Sequence, residues 1–371
     1  MTDKNKERLE KAKESLENYK VRINDFIEKY LAEKLQSFMS IEPEIGGELG
    51  ELGKEFILRG GKRMRAAFTY YGYRAVGDKD EDNILFASAG MEILHSFFLI
   101  HDDIIDVSDI RHNMPTVHKI YQRKYEQMGL LQNFNADAKE HFGASAAIMA
   151  GDICCALAYE AMIESGFQAE KILKALKMMQ ETVRFTAVGE MLDIVKPLSK
   201  KAVTEYEVQQ IQYLKTAKYT IESPLHLGAI LQGTTDDVLK SLSEYGIPVG
   251  IAFQISDDIL GIFADEKTLG KPVGSDIKEG KRTLLTIKAL DNASTAERDK
   301  INSLLGNSSI NQSDVKEFRK IIENTGAYQY SIDHAAALVE KGKEAITRTP
   351  IRENIKEILL GMADYVIERD Y

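Results

Sequence analysis

Apolar residues recur at intervals of three and four positions along nearly the whole chain, and no long stretch alternates apolar with polar residues. That interval matches one face of an α-helix, whereas a half-buried β-strand needs a period of two. Proline, which interrupts helices, supplies only 7 of 371 residues, so few interior breaks are expected. The sequence therefore predicts an all-α fold.

The chain has no Pro/Ser-rich linker and no long run of like charge, and 44% of its residues are hydrophobic. We therefore predict a large single-domain helical bundle over residues 1–371 rather than several domains. An N-terminal helix is predicted over residues 1–40 and a glycine-rich break over 46–53. Residues 123–143 are polar and aperiodic, which we interpret as a surface insertion.

The remaining elements follow from the same periodicity. Further helices are predicted over residues 54–77, 81–106, 144–165, 169–195, 203–232, 235–263, 283–292, 312–324, 326–345 and 351–369. HNMPTVH (His112–His118) is predicted to turn, because the residue before a proline is disfavoured in the helical conformation. Asp265–Thr283 contains glycine and proline and is predicted to be a loop.

Charge and composition exclude several classes of protein. A net charge of −10 and a pI near 5.4 argue against a nucleic-acid-binding protein. Cys154 and Cys155 are adjacent and do not face each other on a helix, which fits a reducing compartment. The polar N-terminus predicts no signal peptide, and charged residues within Ile84–Ile105 predict no bilayer span. We therefore predict a cytoplasmic protein with no stable membrane insertion.

Two apolar helices are predicted to end in paired aspartates. FLIHDDII (Phe98–Ile105) and FQISDDIL (Phe253–Leu260) share one register. In the first, Asp102 and Asp106 lie four residues apart on one helix face, where like charges repel, and a helix C-terminus disfavours anions. A divalent cation relieves both effects, and oxygen ligands suit Mg²⁺ bridging to a phosphate. A solvated helix end is the alternative, and the repetition of the pattern makes it less favoured.

Cations accompany these acidic segments. GGKRMR (Gly60–Arg65) is predicted to place Lys62 and Arg65 on one side of a helix, after glycines that let backbone N–H groups approach an anion. Further cations near the acidic segments are Arg111, Lys215, Lys271, Lys281 and Arg282. Lysine and arginine beside aspartate clusters in an acidic chain indicate binding of a metal-bridged phosphate.

These motifs, in this order, resemble those of the trans-isoprenyl diphosphate synthases, the polyprenyl synthetase family. They are GGKRMR, LHSFFLIHDDIID, RHNMPTVH, AGD, GEMLD, KTAKY, FQISDDILG and GKPVGSDIKEGK. The resemblance implies a helical bundle around a central cleft, assembled as a homodimer. It also implies a prenyltransferase that condenses isopentenyl diphosphate with an allylic diphosphate and uses three Mg²⁺ ions, with Mn²⁺ as an alternative.

The resemblance further implies roles for the residues that match family motifs. The metal ligands would be Asp102, Asp106 and Asp257, supported by Asp103, Asp258 and Asp276. The allylic diphosphate would contact Arg111, Lys215 and Lys271. The diphosphate of isopentenyl diphosphate would contact Lys62, Arg65 and His95. Thr216 and Gln254 would line the cleft where the bond forms, Lys281 would help to close it, and Asp193 and Tyr219 would also contact substrate.

Two positions depart from the family pattern. His112 stands where an arginine would contact isopentenyl diphosphate, which predicts weaker or pH-dependent affinity for that substrate. Gly261 stands where many members carry a third aspartate, so we assign no metal role to it.

The length of the product is predicted from two aromatic residues. Phe98 lies one helical turn, about 5.4 Å, before Asp102 on nearly the same face. Phe98 and Phe97 would form the floor under a growing hydrocarbon, and paired aromatics resemble farnesyl-producing members. We therefore predict farnesyl diphosphate, with geranylgeranyl or a longer diphosphate as the alternative, and ordinary core packing as the competing role. A class I terpene cyclase is a less favoured reading, because it would lack the second acidic pair. Two further alternatives are a non-catalytic, regulatory partner in a heteromeric synthase, which the intact aspartates and lysines argue against, and a helical scaffold that merely binds divalent cations.

Overall fold

The computed structural model describes residues 3–77, 79, 81–199, 201–264 and 274–368. Helices make up 81% of it and strands about 1%, which confirms the predicted all-α fold. The α-helices of the described residues are α1 (Asp3–Ile41), α2 (Ile45–Leu58), α3 (Met64–Val76), α4 (Asn83–Ile105), α5 (Val117–Gln127), α6 (Ala136–Ile163), α7 (Ala169–Val195), α8 (Glu205–Ile211), α9 (Ser223–Gln232), α10 (Asp236–Phe263), α11 (Ser275–Lys278), α12 (Leu284–Asn292), α13 (Thr295–Leu304), α14 (Gln312–Asn324), α15 (Ala327–Arg348) and α16 (Glu353–Ile367). A 3₁₀ turn at Lys196–Leu198, a π-helix at Gln212–Glu222, and strands β1 (Ile110–Arg111) and β2 (Met114–Pro115) complete them.

The chain forms two units. The first comprises residues 1–15, 71–79 and 173–371, and the second comprises 16–70 and 80–172. The organisation of residues 1–371 as one domain, and the cleft within it, stay predictions.

In the second unit, α4 and α6 pack closely because small residues meet at their crossing. A Cβ added to Gly90 would lie 2.9 Å from the carbonyl oxygen of Ala158. Most residues of α4 before its last turns are buried. The apolar part of α4 is therefore anchored in the core, and the aspartates come at its C-terminal end.

In the first unit, α10 packs against the π-helix and against α15. Added Cβ atoms at Gly246 and Gly250 would lie 3.1 Å from Glu222 Cα and 2.5 Å from Ala217 Cα, respectively. Glycine on α10 therefore permits backbone contact with the π-helix. The second aspartate pair lies in the last two turns of α10.

The predicted break at residues 46–53 is wrong, because α2 runs through it. Gly46 and Gly50 serve packing: added Cβ atoms would lie 2.3 Å from the Phe38 carbonyl oxygen and 2.7 Å from Leu35 Cδ1 on α1. The single helix predicted over 54–77 is also wrong. Residues 59–63 form a loop, so Lys62 precedes the helix that carries Arg65 instead of sharing its side.

The aperiodic insertion predicted at residues 123–143 is helical at both ends, since α5 reaches Gln127 and α6 begins at Ala136. Only the connection between them is non-helical. Helix α13 was not predicted, although Ser294 and Glu297 form a capping box at its start. The turn predicted at His112–His118 is present, within a short hairpin whose strands were not predicted.

Within the described ranges, three helices are long and apolar enough to cross a membrane by length and composition: α4, α6 and α10. The prediction that the charges within α4 exclude a span is therefore not met on those criteria. The apolar windows of these helices are 67%, 44% and 61% buried inside the protein, respectively. The absence of stable membrane insertion stays a prediction.

Candidate active site

The first acidic cluster lies where α4 ends. Val107 N–H donates to the carbonyl of Ile104 and Ser108 N–H to that of Asp103, the paired hydrogen bonds of a Schellman motif. This motif puts the residue after the helix cap in the left-handed conformation, which Val107 adopts with φ +52°. Carboxylate oxygens of Asp102 and Asp106 lie within 4.8 Å of each other.

Arg111 is brought to this cluster by the β1–β2 hairpin. Its turn residues His112 and Asn113 have φ of 54° and 59°, as a two-residue type I′ turn requires. Arg111 Nη2 donates to Asp102 Oδ2 at 2.9 Å, and its Nε donates to Asp103 Oδ1 at 2.6 Å. A fixed guanidinium thus closes one side of the cluster.

The carboxylates of this cluster suit a divalent cation. Burial raises the pKa of Asp103 to about 6, against the opposing effect of the Arg111 guanidinium. Among the described residues, no hydrogen-bond donor reaches the buried Oδ2 of Asp103. Asp102 and Asp106 present oxygens close enough to chelate one ion, and a cation would offset their mutual repulsion.

The cationic GGKR loop is anchored by its buried arginine. Arg63, 5% exposed, has φ +52° and donates to Asn24 Oδ1 at 2.8 Å and to the Ile57 carbonyl at 2.8 Å. Its Nη1 lies 3.5 Å from Glu92 Oε2. Lys62 beside it is exposed, and Arg65 lies in the first turn of α3, partly exposed. The loop therefore presents both cations from a fixed base.

Two histidines in this unit are neutral. Burial lowers the pKa of His95 well below its usual value, and the nearby charge of Arg65 lowers it further. Partial burial lowers the pKa of His112 as well, although the residue as a whole is exposed, and the guanidinium of Arg111 lowers it further. His112 therefore offers hydrogen bonds but no charge at neutral pH, unlike the arginine typical of its position.

In the first unit, the second aspartate pair belongs to a hydrogen-bonded chain. Asp257 is partly exposed, whereas Asp258 is buried. Gln254 Nε2 donates to Asp258 Oδ1 at 2.7 Å, and Thr216 Oγ1 donates to Gln254 Oε1 at 2.5 Å. Gln212 Nε2 also lies 3.4 Å from Asp258 Oδ2. Thr216 and Gln254, predicted to line one cleft, are therefore in direct contact.

Four carboxylates crowd this end of α10. Burial raises the pKa of Asp258 to about 8, although the hydrogen bond from Gln254 lowers it, and the charges of Asp276, Asp193 and Asp257 raise it further. A Cβ added to Gly261 would lie 2.3 Å from Asp276 Oδ2. The Asp276 carboxylate thus occupies the space that a side chain at position 261 would fill. Such a group also suits a bound cation.

Lys215 projects from the π-helix toward α7. Its Nζ lies 3.0 Å from Glu190 Oε1 and 2.8 Å from Asp193 Oδ2. A Cβ added to Gly189 would lie 2.4 Å from the Lys215 backbone nitrogen, so glycine is needed for this approach. Asp193 therefore contacts Lys215, which is predicted to bind phosphate. Glu190 also contacts Lys215, a role that was not predicted for it.

The other predicted residues are placed as follows. Lys281 Nζ lies 2.5 Å from Glu279 Oε2 and 4.0 Å from Asp276 Oδ1. Tyr219 is buried in the π-helix. Phe97 and Phe98 lie near the end of α4, with ring centroids 4.9 Å apart. Lys271 lies outside the described residues.

A sequence model of the polyprenyl synthetase family matches residues 47–322. The chain belongs to the polyprenyl synthetase family. Its resemblance to the isoprenyl diphosphate synthases, stated above from motifs, is thereby confirmed, and the protein is a prenyltransferase, a short-chain trans-prenyl diphosphate synthase. Enzymes of this kind use isopentenyl diphosphate and allylic diphosphates.

Individual relatives agree with this assignment. The chain is 35% identical to a short chain isoprenyl diphosphate synthase of Methanothermobacter thermautotrophicus, over 91% of this chain and 94% of that protein. It is 34% identical to a geranylgeranyl diphosphate synthase of Saccharolobus solfataricus, over 86% and 90%. The crystal structure of a geranylgeranyl pyrophosphate synthase from Corynebacterium glutamicum, complexed with isoprenyl diphosphate and magnesium, superposes with a TM-score of 0.86 at 30% identity, covering 94% and 99%.

The polyprenyl synthetase motifs explain the charged residues above, but not two buried groups. The partner of Arg63 is Glu92, whose signal in the sequence is a single acid in the apolar run SAGMEILH. A second group, around Lys218, lies in the π-helix. In the sequence, Lys218 lies within the KTAKY motif, and no role is predicted for it.

Proposed function

We propose that this polyprenyl synthetase condenses isopentenyl diphosphate with an allylic diphosphate and releases geranylgeranyl diphosphate. The observation that carries the proposal is the arrangement at the end of α4, where Asp102 and Asp106 carboxylates lie within 4.8 Å and Arg111 is ion-paired beside them. Paired carboxylates with a fixed guanidinium suit a metal-bridged diphosphate.

Asp102, Asp106 and Asp257 are the residues that would hold magnesium, with three ions per site and manganese as a substitute. When bound, magnesium neutralises diphosphate oxygens and stabilises the departing pyrophosphate. Support comes from the donor set: partly exposed carboxylate oxygens are hard ligands, and Asp103 and Asp258 behind them are buried. Burial raises the pKa of both buried aspartates, and a bound divalent cation would favour their charged forms.

Lys215 and Arg111 would bind the allylic diphosphate, together with Lys271. Lys215 is already oriented by Glu190 and Asp193, so its ammonium needs little reordering to bind a phosphate. Thr216 and Gln254 hold each other by a 2.5 Å hydrogen bond and would position the reacting carbons. The condensation forms one carbon–carbon bond, breaks the allylic carbon–oxygen bond and releases a proton.

Lys62 and Arg65 would bind the diphosphate of isopentenyl diphosphate. The buried anchor of Arg63 supports this role, because it fixes the loop that presents them. His95 and His112 would add hydrogen bonds without charge, since the pKa of each is lowered. Among the described residues, the diphosphate of isopentenyl diphosphate would therefore be bound by two charged side chains, Lys62 and Arg65. The third charge is missing because a neutral histidine stands at position 112, where an arginine is typical.

The two aromatic residues near Asp102 support a product longer than farnesyl diphosphate. Phe98 is one turn from Asp102 on nearly the same face of α4. Phe97 lies instead on the His101 face, with ring centroids 4.7 Å apart, and His101 bonds the Ile148 carbonyl of α6. Only Phe98 is then in line with the hydrocarbon chain, and a single ring leaves room for a longer product.

Product analysis tests this proposal. Purified protein with Mg²⁺, labelled isopentenyl diphosphate and a dimethylallyl, geranyl or farnesyl primer should yield geranylgeranyl diphosphate. Phe98→Ala should lengthen the product by at least one five-carbon unit, whereas Phe97→Ala should leave its length unchanged. The contrary result is farnesyl diphosphate as the end product, with a longer product from each substitution. That result would show that Phe97 and Phe98 together limit the chain length, and it would overturn the proposal that Phe98 limits it alone. Without a Mg²⁺-dependent product, the proposed function fails.

A further inference from the structure

A buried charged group is centred on two π-helix residues that follow Lys215 by three and seven positions. We call it the Lys218 cluster: Lys218, Glu222, His226 and Ser243. Lys218 Nζ lies 3.2 Å from Glu222 Oε2. Ser243 Oγ donates to Glu222 Oε1 at 2.6 Å and lies 3.0 Å from His226 Nε2. Glu222 thus links the Lys218 ammonium to Ser243 of α10, and Ser243 contacts His226 of α9.

The charges of the cluster are withdrawn from solvent. The side chains of Lys218 and Glu222 are 8% and 5% exposed. Burial acts to lower the pKa of Lys218, but the carboxylates of Glu222 and Glu181 outweigh it and leave the pKa raised. Lys218 is therefore an ammonium ion. A buried ion pair is weak evidence for stability, because desolvation offsets its attraction. A role of the ion pair in selecting one backbone geometry therefore explains its presence better than a contribution to stability does.

The cluster and the candidate active site hold the π-helix to α7 at two levels. At the site, Lys215 contacts Glu190 and Asp193. Farther along the π-helix, Lys218 Nζ lies 3.4 Å from Glu181 Oε1 and 5.1 Å from the centroid of the Phe185 ring. These partners come earlier in α7, as antiparallel packing requires.

The same two levels recur on α10. Thr216 is bonded to Gln254 and Glu222 to Ser243. Those α10 residues are 11 positions apart, which is about 16 Å along a helix. The π-helix is therefore fixed to both neighbours near the chemistry and again well away from it.

A π-helix needs such support. Its i→i+5 hydrogen bonds are rare and occur mostly as single turns, often at functional sites, yet here the geometry persists over Gln212–Glu222. Close backbone approaches at Gly189, Gly246 and Gly250 leave little room for a shift to α-helical register. The Lys218 cluster supplies polar contacts that select this register.

We propose that the Lys218 cluster is a positioning device that sets where Lys215 and Thr216 lie relative to the allylic diphosphate. Its members contact no substrate; they act through the register of the π-helix. The inference rests on the proposed function, which gives Lys215 and Thr216 their roles.

The test compares Ser243→Ala and Lys218→Met with two controls. Ser243→Thr keeps the hydroxyl and should restore the wild-type rate. Lys343→Met removes a matched buried lysine, 11% exposed and paired with Asp364, from the α15–α16 contact of the same unit. All variants are assayed well below their unfolding temperatures, with each substrate varied in turn.

We expect Ser243→Ala and Lys218→Met to lower kcat/KM for the allylic diphosphate at least tenfold, because small misplacements of catalytic groups are costly. The KM for isopentenyl diphosphate should stay within twofold of the wild-type value. Lys343→Met should lower the unfolding temperature with kcat/KM unchanged. If Lys218→Met does not fold, Ser243→Ala decides.

The proposal that the Lys218 cluster positions Lys215 and Thr216 is overturned if Ser243→Ala behaves like Lys343→Met, with lower stability and unchanged kcat/KM. It is also overturned if Ser243→Thr and Ser243→Ala are equally impaired. Lys215→Ala, assayed in parallel, separates this failure from that of the proposed function. Loss of turnover in Lys215→Ala with normal turnover in Ser243→Ala rejects only positioning, whereas normal turnover in Lys215→Ala rejects the site assignment itself.

Discussion

Val107 is in a conformation that valine rarely adopts, directly after the Asp102–Asp106 cluster. Its φ of +52° costs an L-residue about 1–2 kcal/mol, and β-branching makes the region less favourable still. Because Val107 is 72% exposed, no buried side-chain contact offsets that cost. The strain is stored at the end of the helix that carries the candidate metal ligands.

Replacing Val107 by glycine should therefore stabilise the protein. We expect a gain of about 0.5–1 kcal/mol, after subtracting the extra chain entropy of glycine, seen as a higher urea midpoint. Val21→Gly is the matched control: Val21 is 71% exposed but lies inside α1, so glycine should cost about 0.3–0.5 kcal/mol there. Equal shifts of the same sign in both variants would contradict the strain at Val107.

Gly261 permits the Asp276 carboxylate to lie beside α10. An alanine methyl group would meet Asp276 Oδ2 at 2.3 Å and displace this flexible group without disturbing backbone. Gly261→Ala should therefore raise the Mg²⁺ concentration for half-maximal activity at least threefold while leaving the unfolding temperature unchanged or higher. Gly53→Ala in α2, where an added Cβ meets no atom within 4 Å, should show only the stability gain. An unchanged Mg²⁺ requirement in Gly261→Ala would argue against a role for Asp276 with the metal.

At the scale of elements, α3 begins with help from α4. Glu92 Oε1 accepts a hydrogen bond from the Ala66 N–H at 3.1 Å, so a buried carboxylate satisfies one of the orphan donors of the helix N-terminus. Glu92 also faces Arg63, and both side chains are about 4% exposed. The start of α3 and the GGKR loop thus depend on one residue.

Removing that residue should be costly. Glu92→Ala leaves the Arg63 charge buried without its partner, and we expect a loss of about 3–5 kcal/mol in urea unfolding. Glu92→Gln keeps an acceptor for the Ala66 N–H and should lose less than half as much. Asp25→Ala, which breaks an exposed pair with Lys29 on α1, should change stability by less than about 0.5 kcal/mol. A similar small loss for Glu92→Ala would refute the capping role.

Periodicity predicted most elements because burial follows the helical repeat. The predicted bounds of 169–195 are those of α7, and α10 differs from 235–263 by one residue. The break predicted at Gly46–Gly53 failed because glycine served close packing there, a use that looks identical in sequence to a turn. The π-helix lies inside the helix predicted over 203–232, because apolar spacing indicates a helix without specifying its hydrogen-bond register.

At the scale of the whole molecule, the reaction class could be predicted from the order of the motifs. The spacing in the sequence predicts that Asp102 and Asp106 cluster on one helix face. It also predicts that cations such as Arg111 lie beside the aspartates. The partners Glu92 and Ser243 could not, because they lie far away in sequence and carry no motif of their own, and the GEMLD motif that contains Glu190 does not reveal its contact with Lys215. Homodimer assembly and cytoplasmic location stay predictions.

The central claim is that Asp102, Asp106 and Asp257 hold divalent cations that bind the diphosphate. Crystals grown with an unreactive allylic diphosphate analogue and Mn²⁺ test it through anomalous scattering. The account predicts three anomalous peaks within about 2.2 Å of carboxylate and diphosphate oxygens, against Asp102 and Asp106 and against Asp257. Bound analogue without peaks at those aspartates would contradict it.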